Sequence, residues 1–368
     1  MTALLLMVGA AGLILGAELL VRGASRLATA AGIEPLVVGL TVVAFGTSAP
    51  ELAVTVGAAW SGQAEMALGN VVGSNILNVL FILGASAAIA PLLVSHDLVR
   101  LDVPVMIGAS LLVLVLALDG RIGRGDGLGL VVAGVAYTLY LLHRGRQGGH
   151  TSPGRGETGA GDGTRRGPGA GLPGPAPWAL DLVAIGAGLV LLAFGARWLV
   201  RAAVDVAAAL GVSELVVGLT IVAAGTSLPE MATSILASIR GQRDIAVGNV
   251  VGSNIFNLLA VLGLGSALAP DGIAVTAGAL TFDLPIMIGV ALATLPIVFT
   301  GYIIARWEGF VFLGYYAAYT AFLVGHAADH DVADAIGAAI LYFVLPLTAI
   351  TLVALAFRAL RSGGHRHG

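Results

Sequence analysis

The strongest constraint on this chain is that it contains itself twice. Residues 37–84 align with 216–263 at a constant offset of 179, without a gap, and 29 of the 48 positions are identical. A self-match of this length is the mark of an internal structural repeat, in which one supersecondary unit is built twice and packs on its copy. The likeness continues outward. Gly16-Ala17 and Leu19-Leu20-Val21-Arg22 face Gly195-Ala196 and Trp198-Leu199-Val200-Arg201. Asp102-Val103-Pro104-Val105-Met106-Ile107-Gly108 faces Asp283-Leu284-Pro285-Ile286-Met287-Ile288-Gly289.

The solvent for the repeat is lipid. The chain is 58% hydrophobic and 11% charged, against about 25% charged in a typical soluble domain. Its apolar runs are close to the ~20 residues that a helix needs to cross a bilayer. Helices are expected at about 3–28, 36–60, 66–90, 102–118 and 126–143, then 179–208, 215–239, 245–269, 283–300, 307–325 and 335–360. The fold class is an all-α polytopic membrane protein: two five-helix repeats, ten core helices in all, plus one C-terminal helix. Residues 1–143 form the first repeat and 179–327 the second; 328–368 hold the extra helix and a tail. Residues 144–178 are rich in Gly, Pro, Arg, Ser and Thr and lack the large apolar residues of a core, so they read as a flexible linker. The first 20 residues resemble a signal peptide only in being apolar: they carry no basic n-region and have a counterpart later in the chain, so they read as a first helix. There is no cysteine, which excludes disulfides, thiol catalysis and Cys-based metal sites. The basic residues are all arginine.

Arginine placement sets an expected orientation. With the N-terminus outside, fourteen arginines (Arg22, Arg26, Arg100, Arg144, Arg146, Arg155, Arg165, Arg166, Arg240, Arg243, Arg306, Arg358, Arg361, Arg366) fall inside. Four (Arg121, Arg124, Arg197, Arg201) fall outside. The linker and C-terminus are then cytoplasmic. Five helices is an odd number, so the second repeat enters from the opposite side and the two are inverted. Inverted repeats around a midplane site are a recurring transporter design.

Each repeat carries the same chemistry. Gly46-Thr47-Ser48-Ala49-Pro50-Glu51 recurs as Gly225-Thr226-Ser227-Leu228-Pro229-Glu230 in the middle of an apolar span. Proline has no N–H and clashes with the preceding turn, so the helix breaks there. The freed carbonyls, such as those of Thr47 and Thr226, need partners in lipid. A glutamate at the same depth costs several kcal/mol and marks an ion path. Carboxylate and carbonyl oxygens together suit hard cations, calcium above all. The plain alternative is a proline kink beside a protonated, hydrogen-bonded glutamate; two copies at matching positions weigh against it. A second motif follows, Gly69-Asn70-Val71-Val72-Gly73-Ser74-Asn75-Ile76-Leu77-Asn78, matched by Gly248-Asn249-Val250-Val251-Gly252-Ser253-Asn254-Ile255-Phe256-Asn257. Ser74 and Asn78, like Ser253 and Asn257, are i and i+4 and share a helix face. Asn70, Asn75, Asn249 and Asn254 read as caps and braces of the broken backbone, although buried amides also join helices.

On these motifs the chain resembles the calcium/cation antiporter superfamily, in particular bacterial and archaeal sodium/calcium exchangers. The resemblance covers essentially the whole chain. It implies a calcium site made by Glu51, Glu230 and the carbonyls of Thr47 and Thr226. It implies flanking sodium sites at the Ala44 carbonyl, Thr47 and Ser74 on one side and Ala223, Thr226 and Ser253 on the other. Asn78 and Asn257 complete the centre, and Ser48 and Ser227 line the same cavity. Archaeal exchangers of this type often carry Asp at the position of Asn257, so this site has two carboxylates rather than three. Sliding of the first and sixth helices across the core is likewise implied by the family. The expected function is exchange of Ca²⁺ for Na⁺ across the inner membrane, with those ions as substrates and the lipid bilayer as surroundings. No cofactor, nucleic acid or obligate protein partner is expected, and the short linker has no counterpart of a calcium-sensing domain.

Rival readings are a cation/proton or potassium-dependent exchanger of the same superfamily, a cation channel, and an intramembrane enzyme. The Gly-Thr-Ser-x-Pro-Glu form favours sodium over protons, and there is no ring of pore-lining charge and no catalytic metal or nucleophile motif. Other polar residues read plainly. Glu18 and Arg22 are an i, i+4 pair, as are Arg201 and Asp205. Asp102 and Asp283 sit at the start of helices, where carboxylates favour the positive end. Residues 326–334, and His365 and His367, read as a solvated loop and a tail.

Overall fold

The computed structural model describes residues 1–148, 175–211, 221, 223–299 and 302–327. It is helical apart from four two-residue strands. Helix α1 is Thr2–Ala31, closed by Gly32 in a left-handed conformation at φ 63°, a backbone state that glycine reaches without steric cost. A broken span follows as α2 (Pro35–Val38), a π-helical turn over Gly39–Val43, α3 (Ala44–Thr47) and α4 (Ala49–Trp60), with a 47° bend between its halves. Then come α5 (Ala64–Leu77), a π turn over Asn78–Leu83 and α6 (Gly84–Ile89), which together make one 26-residue span. A further π turn over Leu98–Asp102 leads into α7 (Val103–Ala117), and α8 is Arg124–Gly148.

The second half repeats this order. Helix α9 is Pro175–Ala209; after the break come α10 (Ala223–Gly225) and α11 (Leu228–Ile239). Next are α12 (Arg243–Phe256), a π turn over Asn257–Val261, and α13 (Leu262–Leu268). Last are a π turn over Ala279–Asp283, α14 (Leu284–Phe299) and α15 (Arg306–Ala327). Among the described residues six helical spans are long and apolar enough to cross a bilayer, and a seventh is the bent pair α2–α4. The protein is a multi-pass membrane protein. The expected linker core, residues 215–220 of the expected seventh helix, and the helix at 335–360 lie outside the described residues.

The edges differ from the sequence expectation in informative ways. Helix α8 runs on to Gly148 and α9 begins at Pro175, so helix occupies both ends of the segment expected as linker. The fourth span starts at Leu98, not at 102, because a π turn carries the helix through Asp102. Asp102 therefore makes no side-chain cap; it is buried and accepts a 2.8 Å hydrogen bond from the Tyr137 hydroxyl. The expected Glu18–Arg22 pair forms, while Arg201 and Asp205, both exposed, form no ion pair among the described residues.

Two layers result. The main hydrophobic cluster joins α5, α7, α12 and α14 around the centre, with Val71, Ile76, Met106, Val250, Leu258 and Met287 inside it. A separate cluster joins α1 to α9 through Ala17, Leu20, Ala24 and Leu192. These two helices pack antiparallel on glycine: Gly9 lies against Gly195 and Leu199, Gly16 against Gly188 and Leu192, and Gly23 against Ile185. Small residues let backbones approach where lipid supplies no hydrophobic drive. The halves also interlock through strands: β1 (Leu92–Leu93) pairs antiparallel with β4 (Ile303–Ile304), and β2 (Arg121–Ile122) with β3 (Ile273–Ala274).

Candidate cation site

Both glutamates lie at breaks. In the first half the backbone ladder runs from the Ser48 N–H to the Ala44 carbonyl and resumes with the Leu52 N–H on the Ser48 carbonyl. Pro50, between them, has no N–H for the turn before it. Glu51 thus falls in the first turn of α4, where the helix end favours negative charge. Glu230 takes the same place in α11, with the Met231 N–H on the Ser227 carbonyl. Both glutamates are fully buried, as are Thr47, Ser48, Ser227 and Asn257.

The hydroxyls are exchanged between halves. Ser48 donates to Glu230 Oε1 at 2.8 Å and Ser227 donates to Glu51 Oε1 at 2.8 Å. Ser227 also reaches Ser74 Oγ at 3.2 Å. Thr47 Oγ1 lies 3.1 Å from Asn249 Oδ1, and Thr226 Oγ1 lies 3.4 Å from Asn70 Oδ1. Each of these asparagines turns its amide to the broken helix of its own half. Asn70 Nδ2 donates to the Glu51 carbonyl (3.2 Å) and Thr55 Oγ1 (2.9 Å). Asn249 Nδ2 donates to the Glu230 carbonyl (3.3 Å) and Ser234 Oγ (2.9 Å). Asn70 and Asn249 are braces, as the sequence suggested.

Five buried oxygens on these residues have no hydrogen-bond partner among the described residues: Glu51 Oε2, Glu230 Oε2, Asn78 Oδ1, Asn257 Oδ1 and Ser253 Oγ. A buried carboxylate or amide oxygen without a partner is costly, and four of the five form two repeat-related pairs. Two carboxylate and two amide oxygens are a donor set for a hard cation.

The structure ties Glu51 to Ser227, Ser74 and, through Asn70, Thr226, and ties Glu230 to Ser48 and, through Asn249, Thr47. Asn78 and Asn257 join a separate amide network with Asn254 and Asn75. Ser253 is fully buried on α12, one turn before Asn257. Ala44 is buried, and its carbonyl accepts from Ser48 N and lies 3.4 Å from Thr47 Oγ1. Ala223 opens α10, and its side chain lies outside the described residues. Sequence reasoning missed Thr55 and Ser234, which receive the bracing amides. Their signal was present: both stand fifteen residues before the asparagine they serve. It also missed that each serine serves the other half's glutamate, and that Asn78 and Asn257 each open a π turn, a device frequent at functional sites.

Residues 1–143 and 180–325 match the family described as "Sodium/calcium exchanger protein". The chain belongs to the sodium/calcium exchanger family. It is 36% identical to the "Inner membrane protein YrbG" of Escherichia coli (strain K12) over 291 residues, 79% of this chain and 87% of that protein. It is 31% identical to the "Sodium/calcium exchanger MaX1" of Methanosarcina acetivorans over 339 residues, 86% of this chain and 96% of that one. The solved sodium-calcium exchanger NCX_Mj superposes with a TM-score of 0.73 at 28% identity, covering 88% of this chain and 98% of that structure. Membership makes the protein a cation antiporter rather than an enzyme.

Proposed function

We propose that this chain exchanges Ca²⁺ for Na⁺ across the inner membrane by alternating access at the Glu51–Glu230 centre. The observation that carries the reading is the repeat-related set of unpartnered buried oxygens on Glu51, Glu230, Asn78 and Asn257. One Ca²⁺ neutralises the two carboxylates. Sodium ions do the same in a different geometry, using Ser74, Ser253, Thr47, Thr226 and the carbonyls of Ala44 and Ala223. Ser48 and Ser227 line the cavity and steady one carboxylate oxygen each. Two unpaired carboxylates are too costly in a membrane interior for the empty carrier to cross readily. That cost couples the outward and inward ion movements.

The reading includes two inverted five-helix repeats, a C-terminal helix, a cytoplasmic linker and an external N-terminus. The antiparallel packing of α1 on α9, the first helices of the two halves, supports the inversion. Arginine placement supports the orientation.

The test is calcium-45 uptake into proteoliposomes loaded with sodium, with potassium-loaded and proton-gradient vesicles beside them. Uptake driven only by the outward sodium gradient is the expected result. Uptake driven by protons moves the chain to the proton-coupled branch, and no uptake under any gradient overturns calcium as cargo.

A further inference from the structure

The chain contains six asparagines, and all six lie in the two site motifs: Asn70, Asn75, Asn78, Asn249, Asn254 and Asn257. An amide side chain has a donor end and an acceptor end. A cation needs the acceptor end. At Asn78 and Asn257 something must therefore decide which end is turned to the ion.

The deciding groups are a backbone carbonyl of the opposite motif and a methionine outside both motifs. Asn254 Nδ2 faces the Asn75 carbonyl at 3.4 Å and Met106 Sδ at 3.5 Å. Both are acceptors only. Turning Asn254 over would set its oxygen against a carbonyl oxygen and a sulfur, so its NH2 stays there. Its Oδ1 is then fixed on the far side, where it takes the Asn78 Nδ2 hydrogen at 2.9 Å. With its NH2 committed, Asn78 turns its Oδ1 away from Asn254, and that oxygen is one of the unpartnered set. The other half is built alike. Asn75 Nδ2 faces the Asn254 carbonyl at 3.4 Å and Met287 Sδ at 3.8 Å. Asn75 Oδ1 takes the Asn257 Nδ2 hydrogen at 3.2 Å, leaving Asn257 Oδ1 unpartnered. Met106 and Met287 are both buried, on α7 and α14, and occupy equivalent places in the two halves.

We infer that Met106 and Met287 are positioning residues for the cation: through Asn254 and Asn75 they hold the oxygens of Asn78 and Asn257 toward it. This rests on the cation reading of the site. It accounts for how a neutral amide at Asn257 can serve in place of an acid. The orientation of both amides is locked, so each offers a fixed oxygen dipole without adding charge.

The test replaces Met106 and Met287 by Leu, singly and together, in the full-length protein. Leucine keeps the volume and is well tolerated for methionine in cores, but its side chain accepts nothing. Calcium-45 binding in detergent, the thermal midpoint, and the side-chain amide signals of ¹⁵N-asparagine protein are read in parallel. Six amide pairs report on the site alone. Loss of one acceptor per chain is expected to weaken Ca²⁺ binding about tenfold in the double variant, with the midpoint within about 2 °C of the parent. The Asn78 and Asn257 amide signals shift and exchange faster with water. Unmoved amide signals with unchanged affinity overturn the inference. So does an affinity loss that only follows a falling midpoint, which would make the methionines mere packing. If the parent binds no Ca²⁺, the cation reading falls, and the amide signals still decide: shifted in the variants, the positioning chain stands; unmoved, it fails.

Discussion

The two halves of this exchanger build the same centre and cover it differently. At the centre most contacts are returned: Ser48 to Glu230 and Ser227 to Glu51, Asn78 to Asn254 and Asn257 to Asn75. At the cover, α1 lies on α11 and is pinned there. Glu18 receives Arg240 at 2.8 Å as well as Arg22, and Ser25 reaches Gln242. On the other side the aligned partners are Arg197 for Glu18 and Ser61 for Arg240, which cannot form an ion pair. There a cleft of about 1400 Å³ separates α9 from the start of α4, lined by Pro50, Ala53, Leu189, Arg197 and Val200. The centre is nearly twofold, while its cover is not.

The largest way to break the comparison is at the carboxylates. Glu51→Gln and Glu230→Gln are each expected to lower sodium-driven calcium uptake by more than about 100-fold, to similar degrees, because either leaves one charge against a divalent ion in low dielectric. A variant that keeps transport removes its glutamate from the site.

The glycine seam of the cover comes next. A Cβ at Gly188 would stand 2.8 Å from the Gly16 carbonyl oxygen and the Leu20 nitrogen, both backbone. Gly188→Ala is expected to cost about 1–3 kcal/mol of packing and to cut uptake at least about tenfold, while Ca²⁺ binding at the centre persists. Gly186→Ala, where a Cβ meets nothing within 4 Å, is the control on the same helix and is expected to transport normally.

The pin on α1 is smaller. Glu18 is shielded but its arginines are half exposed, and such pairs contribute up to about 1 kcal/mol. Glu18→Gln is expected to shift the apparent Ca²⁺ affinity about two- to fivefold in opposite directions at the two membrane faces. The charge swap Glu18→Arg with Arg240→Glu is expected to restore it. Equal shifts at both faces would mean that the pin does not bias access.

The smallest effect separates the two serines. Ser74 accepts from Ser227, whereas Ser253 Oγ has no partner among the described residues. Ser253→Ala is therefore expected to lower sodium affinity with no loss of thermal stability, and Ser74→Ala to lower both slightly, each by about a factor of three. The reverse pattern in parallel sodium titrations and melting curves would assign the free hydroxyl to the wrong half.

Much of this was legible beforehand. The gapless self-match required a doubled unit, and Pro-Glu in an apolar span required a break with a charge beside it. Asn70 and Asn249 were readable as braces because an amide in an apolar span needs a polar partner, and each donates to the carbonyl of its own half's glutamate. The fate of Asp102 was not: a carboxylate before a proline looks like a cap, and only the neighbouring helix reveals Tyr137 as its partner. The π turns were hidden as well, since periodicity cannot register one extra residue in a turn that packing enforces.

What the sequence by itself determined is therefore local and repeated: apolar spans set by the lipid, breaks set by proline, and ligand types set by the residues at those breaks. What only the tertiary structure decided is who meets whom. The serine of one half serves the glutamate of the other, Met106 and Met287 orient amides more than a hundred residues away, and α1 rather than α9 closes on its half-helix. Composition and spacing carry no record of these choices. They follow from how two copies of one unit interlock, and a contact across that interface depends on shape and hydrogen-bond direction in three dimensions.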